Sequence, residues 1–222
     1  MTRLCRGLAV IFLSFISATS ALAQKVQFSA DMQVTNGGGQ QNLKLFVGDR
    51  RARFDRAKQG GESEEIGSIL IDFENQFIFL LIPQSKMYLQ VEGSAGTPFY
   101  RGAWMFRPDT PKYPCNGWVS EANYRGITLR CNAAGQDTVD GRPTQKWEAS
   151  TPDAGQGYLW YDPDLNFIVK VERVSKSGVH SGYELRNAKK GMQQASFFEV
   201  PKDYRKFTMN KLMDVFTGIG QW

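Results

Sequence analysis

Histidine is almost missing from this chain: His180 is the single one among 222 residues. Cysteine is scarce too, with only Cys5, Cys115 and Cys131. These scarcities exclude chemistry. His180 lies between Val179 and Ser181 on the polar side of a strand-like segment shared with Glu184 and Arg186. A Ser-His-Asp triad needs its histidine held between a serine and a buried carboxylate, so this one reads as solvated. Zinc needs more ligands than these few residues readily supply. The sequence has no nucleophile elbow, no Gly-x-x-x-x-Gly-Lys phosphate loop and no zinc-binding His-Glu pair. It also lacks internal repeats and low-complexity blocks. Charge of one sign does not dominate: 27 Lys and Arg stand against 22 Asp and Glu. A nucleic-acid footprint needs a dense basic stripe, which is absent. The expectation is a protein without catalysis, cofactor, metal or nucleic-acid partner.

The N-terminus is where the chain is most distinctive. Arg3 and Arg6 precede an apolar run from Gly7 to about Ile16, and the segment closes on Ala21-Leu22-Ala23. A cationic start, a short apolar run and a small-x-small ending describe a secretory signal peptide. The run is too short to span a membrane. Residues 1–23 are therefore read as the signal, and residues 24–222 as one exported domain beginning at Gln24, periplasmic or secreted. Cys5 leaves with the signal and does not sit where a lipid anchor would attach. Loss of Arg3 and Arg6 lowers the formal charge from +5 to +3. Cys115 and Cys131 remain, an even pair in an oxidising compartment, and a disulfide between them is expected. Closing so short a loop stabilises by roughly 3 kcal/mol.

The remaining chain reads as β. Val26, Phe28, Ala30, Met32 and Val34 alternate with polar residues, the period of a half-buried strand. Asn36 to Gly39 breaks the pattern, and strands follow at Leu43–Val47 and Arg51–Ala57. Ser68–Phe73, Phe77–Ile82 and Met87–Val91 come next. The run Phe77-Ile78-Phe79-Leu80-Leu81-Ile82 does not alternate, so it should be covered on both faces. After an irregular segment, strands are expected to resume near Thr128, with further stretches at 136–139, 144–149, 158–161, 165–174 and 179–186. Asp140-Gly141 and Asp162-Pro163-Asp164 mark turns. Thr208 is placed to cap a short terminal helix. Roughly ten strands joined by short turns suggest an antiparallel sheet curled into an open or closed barrel.

Residues 92–126 are the irregular part, rich in Pro and Gly with interleaved aromatics from Phe99 to Tyr124. Such a segment is either a functional lid or a surface excursion tied down by Cys115. Asp162 and Asp164 form the best carboxylate pair, but their setting is that of a turn. A carboxylate-using hydrolase is accordingly the weakest reading. Arg50, Arg51, Arg53, Arg56 and Lys58 form a basic cluster. It is either a solvated strand face or a contact with an anionic membrane surface, where each cation adds about 1 kcal/mol.

Three stretches resemble a family of exported bacterial proteins of unassigned function that shares a fold with the lipoprotein carriers LolA and LolB. The first pairs Phe28-Ser29-Ala30-Asp31-Met32 with Arg51-Ala52-Arg53-Phe54. The second runs from Asp72 to Tyr88. The third contains Trp160 to Leu165, Val169 to Glu172, Glu184 to Asn187 and Ala195 to Pro201; that family has a proline where this chain has Gln194. The resemblance implies a half-barrel, a strongly curved antiparallel sheet wrapped around a loop or helix lid. It also implies a concave apolar surface suited to acyl chains or a lipoprotein. Alternation puts Phe28 and Met32 on that surface, and likewise Phe167 and Val169 in the later strand. Phe79 and Leu81 are chosen over Ile78, Leu80 and Ile82 without a pattern to decide. The competing reading is a structural or partner-binding envelope protein whose interior is fully packed.

Overall fold

The computed structural model describes residues 26–37, 39–56, 67–93, 106–107, 113–124, 126–151, 155–175 and 177–207. The expected signal peptide and the helix after Thr208 lie outside them.

Twelve strands form one open sheet: β1 (Phe28–Asn36), β2 (Gly39–Val47), β3 (Arg51–Arg56), β4 (Ser68–Asp72), β5 (Phe77–Ile82), β6 (Met87–Glu92), β7 (Arg130–Val139), β8 (Arg142–Thr151), β9 (Gly155–Asp162), β10 (Phe167–Val174), β11 (His180–Lys190) and β12 (Arg205–Phe207). Their order is β12-β6-β5-β4-β3-β2-β1-β11-β10-β9-β8-β7. β1 pairs with both β2 and β11, so the first strand joins two meanders at the middle of the sheet. All pairs are antiparallel except β12 on β6. The fold is a LolA-like curved sheet, as the sequence resemblance implies.

Alternation explains the inner, concave face. Phe28, Ala30 and Met32 of β1 are buried, and across the sheet they oppose Val47, Leu45 and Leu43. Directly opposed residues share a face, so the inner row continues through Phe54, Ile69 and Leu80, and through Ala52, Ile71 and Ile78. On the other half, Leu159, Val171 and Tyr183 oppose one another and complete the core. Phe28 meets Phe167 edge-on at 5.1 Å. Burying a side chain of this size contributes about 1.5–3 kcal/mol.

The same register places Leu70, Phe79 and Leu81 on the outer face, in rows with Arg53, Ser68 and Tyr88. This corrects the expectation for Phe79 and Leu81. A strand apolar on both sides carries no periodic signal, and only cross-strand pairing fixes which side turns inward. In the run Phe77–Ile82, Ile78 is buried on the inner face and Leu81 on the outer one, and the other four residues are half-buried. Over the outer face of β3 and β4 lies the chain after β11, with its short 3-10 turn, Ala195–Phe198. Phe197 packs on Phe46 at 5.1 Å, and Arg53 donates to the Phe197 carbonyl at 3.0 Å.

β7 starts at Arg130, close to Thr128 where strands are expected to resume, and runs through a bulge between Ala133 and Gln136 to Val139. Two further points depart from the sequence reading. A second bulge between Ile168 and Lys170 breaks the alternation assumed for Leu165, Phe167, Val169 and Val171. The segment 92–126 contains a helix, α1 (Asn116–Tyr124).

Candidate functional site

α1 is weakly amphipathic, and its place is fixed covalently. Cys115, immediately before its first residue, is disulfide-bonded to Cys131 of β7, with Cα atoms 6.2 Å apart. Cys115, Trp118 and Ala122 recur at helical spacing and face the sheet, all buried. Trp118 rests on Gly157 of β9: a Cβ at that glycine would come within 3.2 Å of the indole. The missing side chain thus makes the slot in which the tryptophan lies. Tyr113 closes the approach from the loop side, packing edge-on against Trp147 at 5.1 Å and donating from its hydroxyl to the Cys131 carbonyl.

Beside α1, the ends of β8, β9, β10 and β11 leave a cleft of about 350 Å³. Trp118, Ala122, Ile127, Leu129, Ala149 and Val179 supply its apolar walls, and Arg173 stands among them. Small-molecule pockets run from roughly 300 to 1,000 Å³, so the cleft is at the small end of that range. The Arg173 guanidinium lies 5.3 Å from the Trp118 ring, stacked as cations prefer on indole.

Elsewhere on the inner face, buried side chains pack against one another. Phe106 packs on Phe54 at 4.8 Å and on Tyr183 at 5.3 Å. The Tyr183 hydroxyl donates to the Ile168 carbonyl at 2.9 Å, and burial pushes its ionisation far above the ordinary tyrosine range. Phe28, Met32, Phe167 and Val169 are brought together in this cluster as close-packed core. Phe79 is outside it, ringed by Phe77 and Tyr88 on the outer face, and Leu81 is buried on that same side.

The polar candidates are occupied by structural work. Asp162 is 1 % exposed; it accepts from the backbone N–H groups of Asp164 and Leu165 and pairs with Arg142 at 2.5 Å. Asp164 accepts from Arg142 and Lys190, which hold its carboxyl below the usual carboxylate range. The two carboxylates therefore clamp the β9–β10 turn to the β7–β8 turn and the end of β11. In the basic cluster, Arg50 pairs with Glu74, Arg51 with Asp72 and Arg53 with Asp55. His180 is exposed, with Nδ1 3.4 Å from Glu172. Among the described residues no group of three or more His, Cys, Asp or Glu is placed to hold a metal ion.

The sequence reading missed the cleft. Its walls come from α1, from the irregular segment 126–129 and from strand ends, none of which carries a periodic signal. Two signals were present: Arg173, a cation at a position where the inward alternation after Val171 calls for an apolar residue, and the glycine at 157.

The described residues thus form one open twelve-stranded sheet with a side cleft beside α1. No family model matches the chain, and no curated protein does. Solved structures do. An uncharacterized conserved protein from Thermus thermophilus superposes with a TM-score of 0.52 at 12% identity, over 82% of this chain and 90% of that one. The Pseudomonas aeruginosa MucA/MucB complex gives a TM-score of 0.52 at 11% identity, over 84% of this chain but 59% of that one. A LolA superfamily protein from Nitrosomonas europaea also matches, at 12% identity over 79% of this chain and 90% of that one, with a TM-score of 0.33.

Proposed function

We propose that this protein is an exported, non-enzymatic binding protein of the cell envelope that takes an apolar chain, from a lipid or a lipoprotein, into the cleft beside α1. The cleft carries this reading: an apolar concavity of about 350 Å³ beside a cluster of buried, close-packed side chains. The LolA-like fold supports it, as does the signal-like N-terminus. The ligand surface moves accordingly from Phe28, Met32, Phe167 and Val169, which pack the core, to Trp118, Ala122, Leu129 and Val179. Phe79 and Leu81 have no part in it. A second reading is a protein partner, favoured by the likeness to MucB, which is seen in complex with MucA.

The test is native mass spectrometry of protein purified from its own envelope, together with binding of the neutral apolar dye N-phenyl-1-naphthylamine. The expected result is a co-purifying lipid and saturable dye binding that Ala122→Phe removes without unfolding the protein. A co-purifying polypeptide with no dye binding would favour the second reading. N-terminal sequencing of the same material should begin at Gln24; retention of residues 1–20 would overturn export by cleavage.

A further inference from the structure

We infer that residues 208–222 fold back as an amphipathic helix onto the inner face of β5, β6 and β12, closing in cis an apolar surface separate from the cleft beside α1. On that face Leu80 and Ile82 of β5 oppose Leu89 and Met87 of β6, Val91 lies two residues beyond Leu89, and Phe207 of β12 opposes Leu89 from the other side. All six are half-buried. Farther in along the same face, Phe54, Ile71 and Ile78 are buried, and Phe106 covers Phe54. The open apolar patch therefore sits at this corner of the sheet. Contiguous apolar surface left wet on a folded protein is unfavourable and marks a place that something covers.

The chain itself supplies the cover. β12 is an edge strand and its last residue, Phe207, is part of the patch, so residues 208–222 start from the patch's border. Their sequence has the matching pattern. Met209, Leu212, Met213, Phe216 and Ile219 recur at helical spacing on one side, and Asn210, Lys211, Asp214 and Thr217 fall on the other. Thr208 stands at the N-cap position. The dimensions agree as well. A helix over 209–219 is about 16 Å long and about 10–12 Å across. Five residues of β6 rise about 16 Å, and three neighbouring strands span roughly 10 Å. Met209 and Met213 suit an irregular surface such as that of Met87, Leu89 and Val91, because the methionine side chain adapts to its surroundings. A helix this short does not persist unpacked, so its folding and its docking are one event.

Disulfide trapping in the full mature chain tests this, with Cys115 and Cys131 already paired to each other. Leu80→Cys with Leu212→Cys should form an intramolecular cross-link on mild oxidation. Leu80→Cys with Asp214→Cys, on the opposite side of the helix, should form little or none. Phe216→Asp puts a charge into the apolar contact and should release the segment. Titration of that variant with N-phenyl-1-naphthylamine should then count about one dye equivalent more than the wild type, with the circular dichroism of the sheet unchanged. Adding Ala122→Phe should leave the extra equivalent in place, because the cleft beside α1 is a different site. The gain is measured against the wild type, so failure of the wild type to bind dye would overturn the reading of the cleft and leave this inference standing. Equal cross-linking from positions 212 and 214, or none from either, would overturn the docked helix. A cross-link between positions 80 and 212 found only between two chains would overturn it in favour of a second copy as the cover. An unchanged dye count in Phe216→Asp would show that the segment closes no apolar surface.

Discussion

Asp162 shows how far a single residue's role depends on its neighbours. In sequence, Asp162-Pro163-Asp164 is a turn, and that reading is correct as far as it goes. The structure adds that Asp162 is buried and serves two partners at once, the N–H groups of its own turn and the Arg142 guanidinium. Removing one partner of a buried pair leaves the other uncompensated. Asp162→Ala should therefore lower stability by about 3 kcal/mol, read as a fall in the urea midpoint. Asp162→Asn, which keeps an oxygen for the turn, should lose less; equal losses would mean that the Arg142 pair contributes little. Gly182 is a comparable case. A Cβ there would lie 1.9 Å from the Val171 carbonyl oxygen, a contact that only glycine avoids.

At the scale of elements, β5 and α1 are the informative pieces. The apolar run of β5 was legible as a strand with apolar side chains on both faces, and the structure buries Ile78 on one face and Leu81 on the other. Which side faces the core was not legible, and pairing with β4 decides it: Ile78 turns inward and Phe79 outward. Ile78→Asp should consequently abolish folding, since a buried unpaired charge costs several kcal/mol of a total near 5–15. Phe79→Asp, at a half-buried position, should leave a folded protein with a lowered midpoint. The reverse ranking in urea titrations would contradict the register. α1 depends on its tether. A helix of nine residues is too short to persist alone, and Cys115–Cys131 holds it over the cleft. Reduction should lower stability by about 3 kcal/mol and weaken dye binding, as measured by denaturation and fluorescence with and without reductant. Undiminished binding after verified reduction would show that packing of Trp118 alone positions the helix.

Over the whole molecule, charge is spent on holding the sheet's ends and covers together. Lys44 and Asn187 hold the Asp31 carboxyl below its ordinary range, Lys190 and Arg142 do so for Asp164, and Lys86 does so for Asp203. Because these carboxyls bind protons more weakly folded than unfolded, their contribution is present above about pH 4 and is lost as pH falls through the lowered folded values. The urea midpoint should hold from about pH 7 to 5 and then decline towards pH 3; a midpoint that rises on acidification would contradict these pairings. Sequence by itself determined the β class, the strand at residues 28–34, the apolar character of both faces of β5, the turns and the cysteine pair, because period, turn chemistry and composition are local properties. Tertiary structure alone decided that β1 joins the two meanders, that Phe79 and Leu81 face outward, that Arg50, Arg51 and Arg53 are held in ion pairs, and that a cleft opens beside α1. Each of these depends on groups far apart in the chain, Trp118 with Gly157 and Arg173 above all, and only pairing across the sheet brings such groups together.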